Sequence, residues 1–145
     1  MIRVGTSGYN YPEWKGRFYP ADLPAARMLA FYVERFPTVE INATFYRMPT
    51  PKTVGAWAAA APAGFVFALK APQRITHFRR LRDVDEPLRF FCDSARSLGD
   101  KLGPLLFQLP PSFAKHTDRL AQLLAMLLPG LRAAFEFRHP SWFVD

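Results

Sequence analysis

Five short stretches of β-branched and aromatic residues begin near positions 2, 38, 65, 104 and 131, and a helical pattern or a long loop separates each from the next. Strand, helix, strand is the grammar of a parallel sheet with right-handed crossovers, because parallel neighbours cannot be joined by a tight turn. Ile2, Arg3 and Val4 open the first strand, which runs into the turn Gly5-Thr6-Ser7-Gly8. Residues 24–36 carry Met28, Leu29, Tyr32, Val33 and Phe36 at helical spacing, with Pro24 suited to a first turn. Residues 38–44 (TVEINAT) read as the second strand. Thr50 and Pro51 supply a cap and a first-turn proline for a helix through Trp57, which Pro62-Ala63-Gly64 ends. Residues 65–70 (FVFALK) form the third strand and lead into a long basic loop. Asp85-Glu86-Pro87 then opens a helix with Leu88, Phe91, Cys92, Ala95 and Leu98 on one face. Residues 104–109 make the fourth strand, Leu120, Leu123, Leu124 and Leu127 mark a further helix, and 131–138 (LRAAFEFR) make the fifth strand. Residues 139–143 read as a loop into another helix.

Two parallel architectures use this grammar, a doubly wound open sheet and a barrel. The first strand lacks the GxGxxG turn of a dinucleotide-binding sheet. The expected fold class is therefore α/β, an incomplete TIM (β/α)8-type barrel with about five parallel βα units. The strand starts lie about 32 residues apart on average. Eight such units need about 260 residues, close to the usual size of about 250 for this barrel. The 145 residues are thus expected to be the N-terminal portion of a single barrel domain, 1–145, with the later strands and helices missing. A sheet of five strands leaves two unpaired edges, so self-association is expected, and the truncated chain is expected to be inactive.

Half of the residues are hydrophobic and 15% are aromatic, which is enough for a real core and argues against disorder. No run approaches the roughly 20 apolar residues of a membrane-spanning helix, and the N-terminus lacks the apolar centre of a signal peptide. The lone cysteine, Cys92, lies within an apolar helical pattern, and a reducing, cytoplasmic setting is expected. Nineteen Lys and Arg against twelve Asp and Glu give a net charge of +7. That excess suits either a solvated Arg-rich surface or an anionic partner.

Side chains two apart on a strand share a face. One choice of face puts the bulky apolar residues of all five strands under the helices. It leaves Ser7, Glu40, Asn42, Lys70, Gln108, Glu136 and Arg138 on the other face, polar toward the C-terminal ends. In a barrel that end is the rim where active sites are built. Charges and amides converging there are costly unless paired or used. The plain alternative is a structural ion network, with Glu40 and Glu136 paired to Lys70 and Arg138. In the functional reading Glu136 is the first candidate for general acid or base and Glu40 the second. Lys70 holds an anion or, if desolvated, acts as a nucleophile. Arg138 grips a carboxylate or phosphate with both arms of its guanidinium. Asn42 and Gln108 orient a polar substrate.

The aromatic residues beside this set, including Tyr46, Phe45 and Trp142, suit rim packing or stacking on a sugar ring or nucleobase. His139 directly follows the fifth strand and His77 lies in the basic loop. No HExxH or CxxC spacing indicates a metal, and no cofactor is specified. The basic loop carries Arg74, Arg79 and Arg80 onto the same rim. The expected partner is a small anionic or sugar-like ligand, bound or transformed. The alternative is nucleic acid held by the basic loop after the third strand.

The run Gly5-Thr6-Ser7-Gly8-Tyr9 with Trp14-Lys15-Gly16 and Phe18-Tyr19-Pro20 resembles the opening of the YecE-like family, domain of unknown function 72. The resemblance continues through Val39-Glu40-Ile41-Asn42, Phe67-Ala68-Leu69-Lys70, Ile75-Thr76-His77, Leu106-Phe107-Gln108-Leu109-Pro110-Pro111 and Phe135-Glu136-Phe137-Arg138-His139-Pro140-Ser141-Trp142. It implies a TIM barrel and supplies no reaction. Its matching positions include Glu40, Asn42, Lys70, His77, Gln108, Glu136, Arg138 and His139, nearly the set reached from strand parity. Members of that family run on for roughly another hundred residues, in keeping with a barrel of about 250.

Overall fold

The computed structural model describes residues 1–144. Five parallel strands, β1 (Gly5–Ser7), β2 (Thr38–Ile41), β3 (Val66–Lys70), β4 (Leu102–Gln108) and β5 (Ala133–Glu136), form one sheet. They pair in chain order, β1-β2-β3-β4-β5. A doubly wound sheet reverses direction partway and puts later strands outside the first. Here every strand is added on the same side, which is the winding of a barrel wall. The sheet is an open arc, with β1 and β5 at its edges.

Helices α1 (Met28–Val33), α3 (Pro51–Ala60), α4 (Asp85–Ala95) and α5 (Thr117–Met126) fill the crossovers, and a one-turn helix α2 (Ala43–Tyr46) follows β2. Thr50 caps α3 as its sequence suggests, its hydroxyl accepting from the Thr53 amide at 3.2 Å. The alternation expected from the sequence is present on the central strands. Val39 and Ile41, Phe67 and Leu69, and Leu105 and Phe107 are buried, while their neighbours are half-buried. The buried face packs against Leu29 and Tyr32 of α1, Val54 of α3, Leu88 and Phe91 of α4 and Leu123 of α5 in one apolar cluster. Cys92 lies inside this cluster. No helix among the described residues is long and apolar enough to cross a membrane.

Local structure departs from the sequence expectation in five places. The first strand is Gly5–Ser7, and Ile2 and Val4, expected within it, are exposed. β2 meets β1 only from Thr38 onward, and the contact is so close that a Cβ on Gly5 would stand 2.1 Å from the Thr38 carbonyl oxygen. The second strand ends at Ile41 rather than at position 44, because Thr44 turns its hydroxyl back onto the carbonyls of Lys70 (2.6 Å) and Ile41 (3.0 Å). The helix expected over 24–36 is α1 preceded by a 3₁₀ turn, Ala25–Arg27. The basic loop contains a π-helical turn, Arg74–Phe78, followed by Arg80, Leu81 and Asp83 at positive φ. The fifth strand is shorter than expected, and the chain after it forms the 3₁₀ turn Pro140–Phe143.

Candidate functional site

The register brings the polar strand ends together. Ser7 pairs with Glu40 across β1 and β2, and Gln108 pairs with Glu136 across β4 and β5. Lys70 ends β3 between them, opposite Leu106. All five side chains project from the face that the helices do not cover.

On the β1–β2 side the groups form a chain of hydrogen bonds. Asn42 Nδ2 donates to Ser7 Oγ at 2.8 Å, and Ser7 Oγ donates to Glu40 Oε1 at 2.8 Å. Asn42 Oδ1 is buried and has no hydrogen-bond partner among the described residues. Glu40 is therefore held by a hydroxyl and has no ion pair among the described residues.

On the β4–β5 side Glu136 is gripped at both oxygens. Gln108 Nε2 donates to Oε2 at 3.0 Å and Arg138 Nε donates to Oε1 at 2.6 Å. The Gln108 hydrogen bond holds the Glu136 carboxyl below the usual carboxylate range. Partial burial opposes this, and Arg138 and Lys70 reinforce it. Of the ion network that the sequence allows, one pair exists among the described residues, Glu136 with Arg138.

Lys70 occupies the middle. Its ammonium lies 4.5 Å from the ring centroid of Phe45, and it forms no ion pair among the described residues. Phe45 in turn meets the His77 ring edge-on, at 4.9 Å between centroids. Thr76 Oγ1 and His77 Nδ1 lie 2.8 Å apart. Burial pushes the His77 imidazole below its ordinary pKa, and the positive charges of Lys70 and Arg138 add to that. Phe45 thus lies between the Lys70 ammonium and the His77 ring, while Glu136 is fixed by Gln108 and Arg138 at the neighbouring strand ends. Phe45 was visible in the sequence only as one aromatic among several. Its place beside Lys70 depends on α2, which the β-branched composition of 38–44 conceals.

Other candidates stand apart from this centre. Tyr46 is exposed beyond Phe45. His139 caps the 3₁₀ turn, accepting from the Ser141 amide at Nδ1 (3.2 Å), and Trp142 donates its indole N–H to the Phe113 carbonyl (2.8 Å). Trp142 also stacks on Phe137 at 4.5 Å. In the basic loop Arg79 donates to the Asp83 carbonyl and Arg80 to Ser112 Oγ, while the exposed Arg74 lines a cleft beside α4. No three His, Cys, Asp or Glu side chains converge as a metal site among the described residues.

Comparison with known proteins agrees with this architecture. The UPF0759 protein YecE of Escherichia coli is 28% identical over 144 residues, and the UPF0759 protein YunF of Bacillus subtilis is 30% identical over 151. Each alignment covers 99% of this chain but 50% and 52% of the relative, so the chain spans about half the length of the curated relatives it matches. The crystal structure of a DUF72 family protein from Thermotoga maritima superposes with a TM-score of 0.85 at 30% identity, over 100% of this chain and 58% of that one. A DUF72 family protein from Enterococcus faecalis shares the fold at a TM-score of 0.76 and 24% identity, over 99% of this chain and 54% of that one. The family model described as "Protein of unknown function DUF72" matches residues 3–145, and the chain belongs to that family.

Proposed function

We propose that the strand-end rim binds a small anionic or sugar-like ligand, with Lys70 as the group that holds its negative charge. One observation carries the reading. The Lys70 ammonium sits at the end of β3 beside an aromatic ring and without a carboxylate partner among the described residues. Both neighbouring carboxylates already have partners of their own, so the ammonium remains available to a ligand. Arg138 offers its remaining guanidinium N–H groups to the same anion. Gln108, Asn42 and Ser7 supply the amide and hydroxyl groups that orient a polyol. Glu136 takes the proton-transfer role, with His77, on the far side of Phe45 from Lys70, as a second group able to accept a proton.

For these 145 residues we propose binding rather than turnover, since they match about half the length of their relatives. The test is thermal shift and calorimetry with a panel of sugar phosphates and sugar acids, run on this chain and on a longer relative. The expected result is stabilisation by at least one member of the panel. Lys70→Met should weaken it about tenfold or more, the scale of a charge-assisted hydrogen bond. Absence of any hit with either protein, or a hit indifferent to both Lys70→Met and Glu136→Gln, overturns the reading.

A further inference from the structure

A cavity lies where α2, the π-helical turn and the start of α4 meet. It measures about 300 Å³, at the lower end of small-molecule sites. Four aromatic rings wall it: Phe45, Tyr46, Phe78 and Phe90. Three of them are unusually open to solvent, Tyr46 at 75%, Phe78 at 72% and Phe90 at 46% exposure. Large apolar rings gathered at one exposed cleft indicate a surface that is covered by something in use. The polar groups of the cleft are equally specific. Gln73, Arg74 and Glu86 line it, and neither Arg74 nor Glu86 is ion-paired among the described residues. Arg74 differs in this from Arg79 and Arg80, whose guanidinium groups bond within the protein.

We infer that this cleft is a ligand site separate from the rim, for a planar aromatic acid bearing a hydrogen-bond donor on its ring. The ring packs among Tyr46, Phe78 and Phe90, where aromatic pairs gain from edge and face contacts beyond burial alone. The acid group meets the planar fork of Arg74. The donor meets the Glu86 carboxylate, and the Gln73 amide serves either. Each feature excludes a class. An aliphatic acid matches Arg74 but not the rings. A neutral arene leaves the guanidinium unanswered. An aromatic diacid sets its second charge against Glu86. The site does not depend on the rim reading, although Phe45 walls this cleft and carries Lys70 over its ring.

The experiment is calorimetric titration of the chain with 4-hydroxybenzoate, compared with phenol, acetate and cyclohexanecarboxylate. 4-Hydroxybenzoate is expected to bind at least tenfold more tightly than any of the three. Phe78→Ala and Arg74→Gln alter exposed side chains and leave the fold intact; each should weaken binding about tenfold. Arg138→Gln at the rim should change it less than twofold. Absence of binding at millimolar ligand, affinity indifferent to both cleft variants, or equal affinity for cyclohexanecarboxylate overturns the inference. Loss of binding in Arg138→Gln also overturns it, by moving the aromatic acid to the rim, and leaves the rim reading standing.

Discussion

Lys70 ends β3 and Phe45 lies in α2 after β2, yet the ammonium of one lies 4.5 Å from the ring centroid of the other. A cation over an aromatic face at a partly exposed site gains about 0.5–1 kcal/mol. The ring therefore holds the long lysine side chain at the strand end, which a flexible four-carbon stem would not do by itself. Phe45→Leu should weaken anion binding at the rim about two- to fivefold, the equivalent of that energy. Phe45→Trp should restore it. Calorimetry on the three proteins checks this, and unaltered affinity in Phe45→Leu would remove Phe45 from the site.

His77 contributes a pH dependence whose sign follows from its surroundings. Its pKa in the folded chain lies below the ordinary 6.5, chiefly through burial. The unfolded chain then binds a proton that the folded chain refuses. Stability should fall as pH drops below 6.5 toward the folded value, and it should be complete above 6.5. Chemical denaturation between pH 5 and 7.5, compared with His77→Gln, measures the effect. A flatter profile in the variant is expected. Carbon-bound proton shifts of the imidazole report the titration directly.

Glu136 is held below the ordinary 4.5 first by the Gln108 hydrogen bond and then by the hydrogen bond and charge of Arg138. Gln108→Leu and Arg138→Leu should each raise the Glu136 pKa toward 4.5. The sign for stability is that of a carboxylate with a depressed pKa. Its contribution is present above about 4.5 and is lost as pH falls through the folded value. The pair with Arg138 is half-exposed, so its deletion should cost under about 1 kcal/mol. Side-chain carbonyl shifts of Glu136 across pH 2 to 6 check both variants.

The parts of this site that could be read from the sequence are those governed by a period of two. Phe67 and Leu69 against Lys70, and Phe107 against Gln108, declare their faces by alternation alone, because burial on one side of a strand demands it. The first strand misleads for the same reason. Ile2 and Val4 alternate like strand residues, but β2 begins opposite Gly5, and no local pattern records where a neighbour starts. Phe45 was hidden by propensity. Val39, Ile41 and Thr44 all favour strand, but the Thr44 hydroxyl bonds the carbonyls of Lys70 and Ile41 where the chain turns into α2. The π-helical turn carries His77 and Arg74 with no periodicity to announce it.

The last expectation concerns the open arc. β1 and β5 have partners on one side only, so each presents unpaired backbone groups along its outer edge. The uncovered face between them holds Ala68, Leu106 and Ala134, half-buried beside the polar rim. Edges are blunted by short strands and charge, and β1 has three residues and β5 four. Those devices limit edge pairing but leave the apolar face exposed to solvent. We therefore propose that the chain self-associates through this face, with a mass that rises with concentration in light scattering. Leu106→Lys places a charge at its centre, in register with Lys70, and should shift the equilibrium toward monomer. A monodisperse monomer at all concentrations, melting cooperatively, would show that the arc needs no cover.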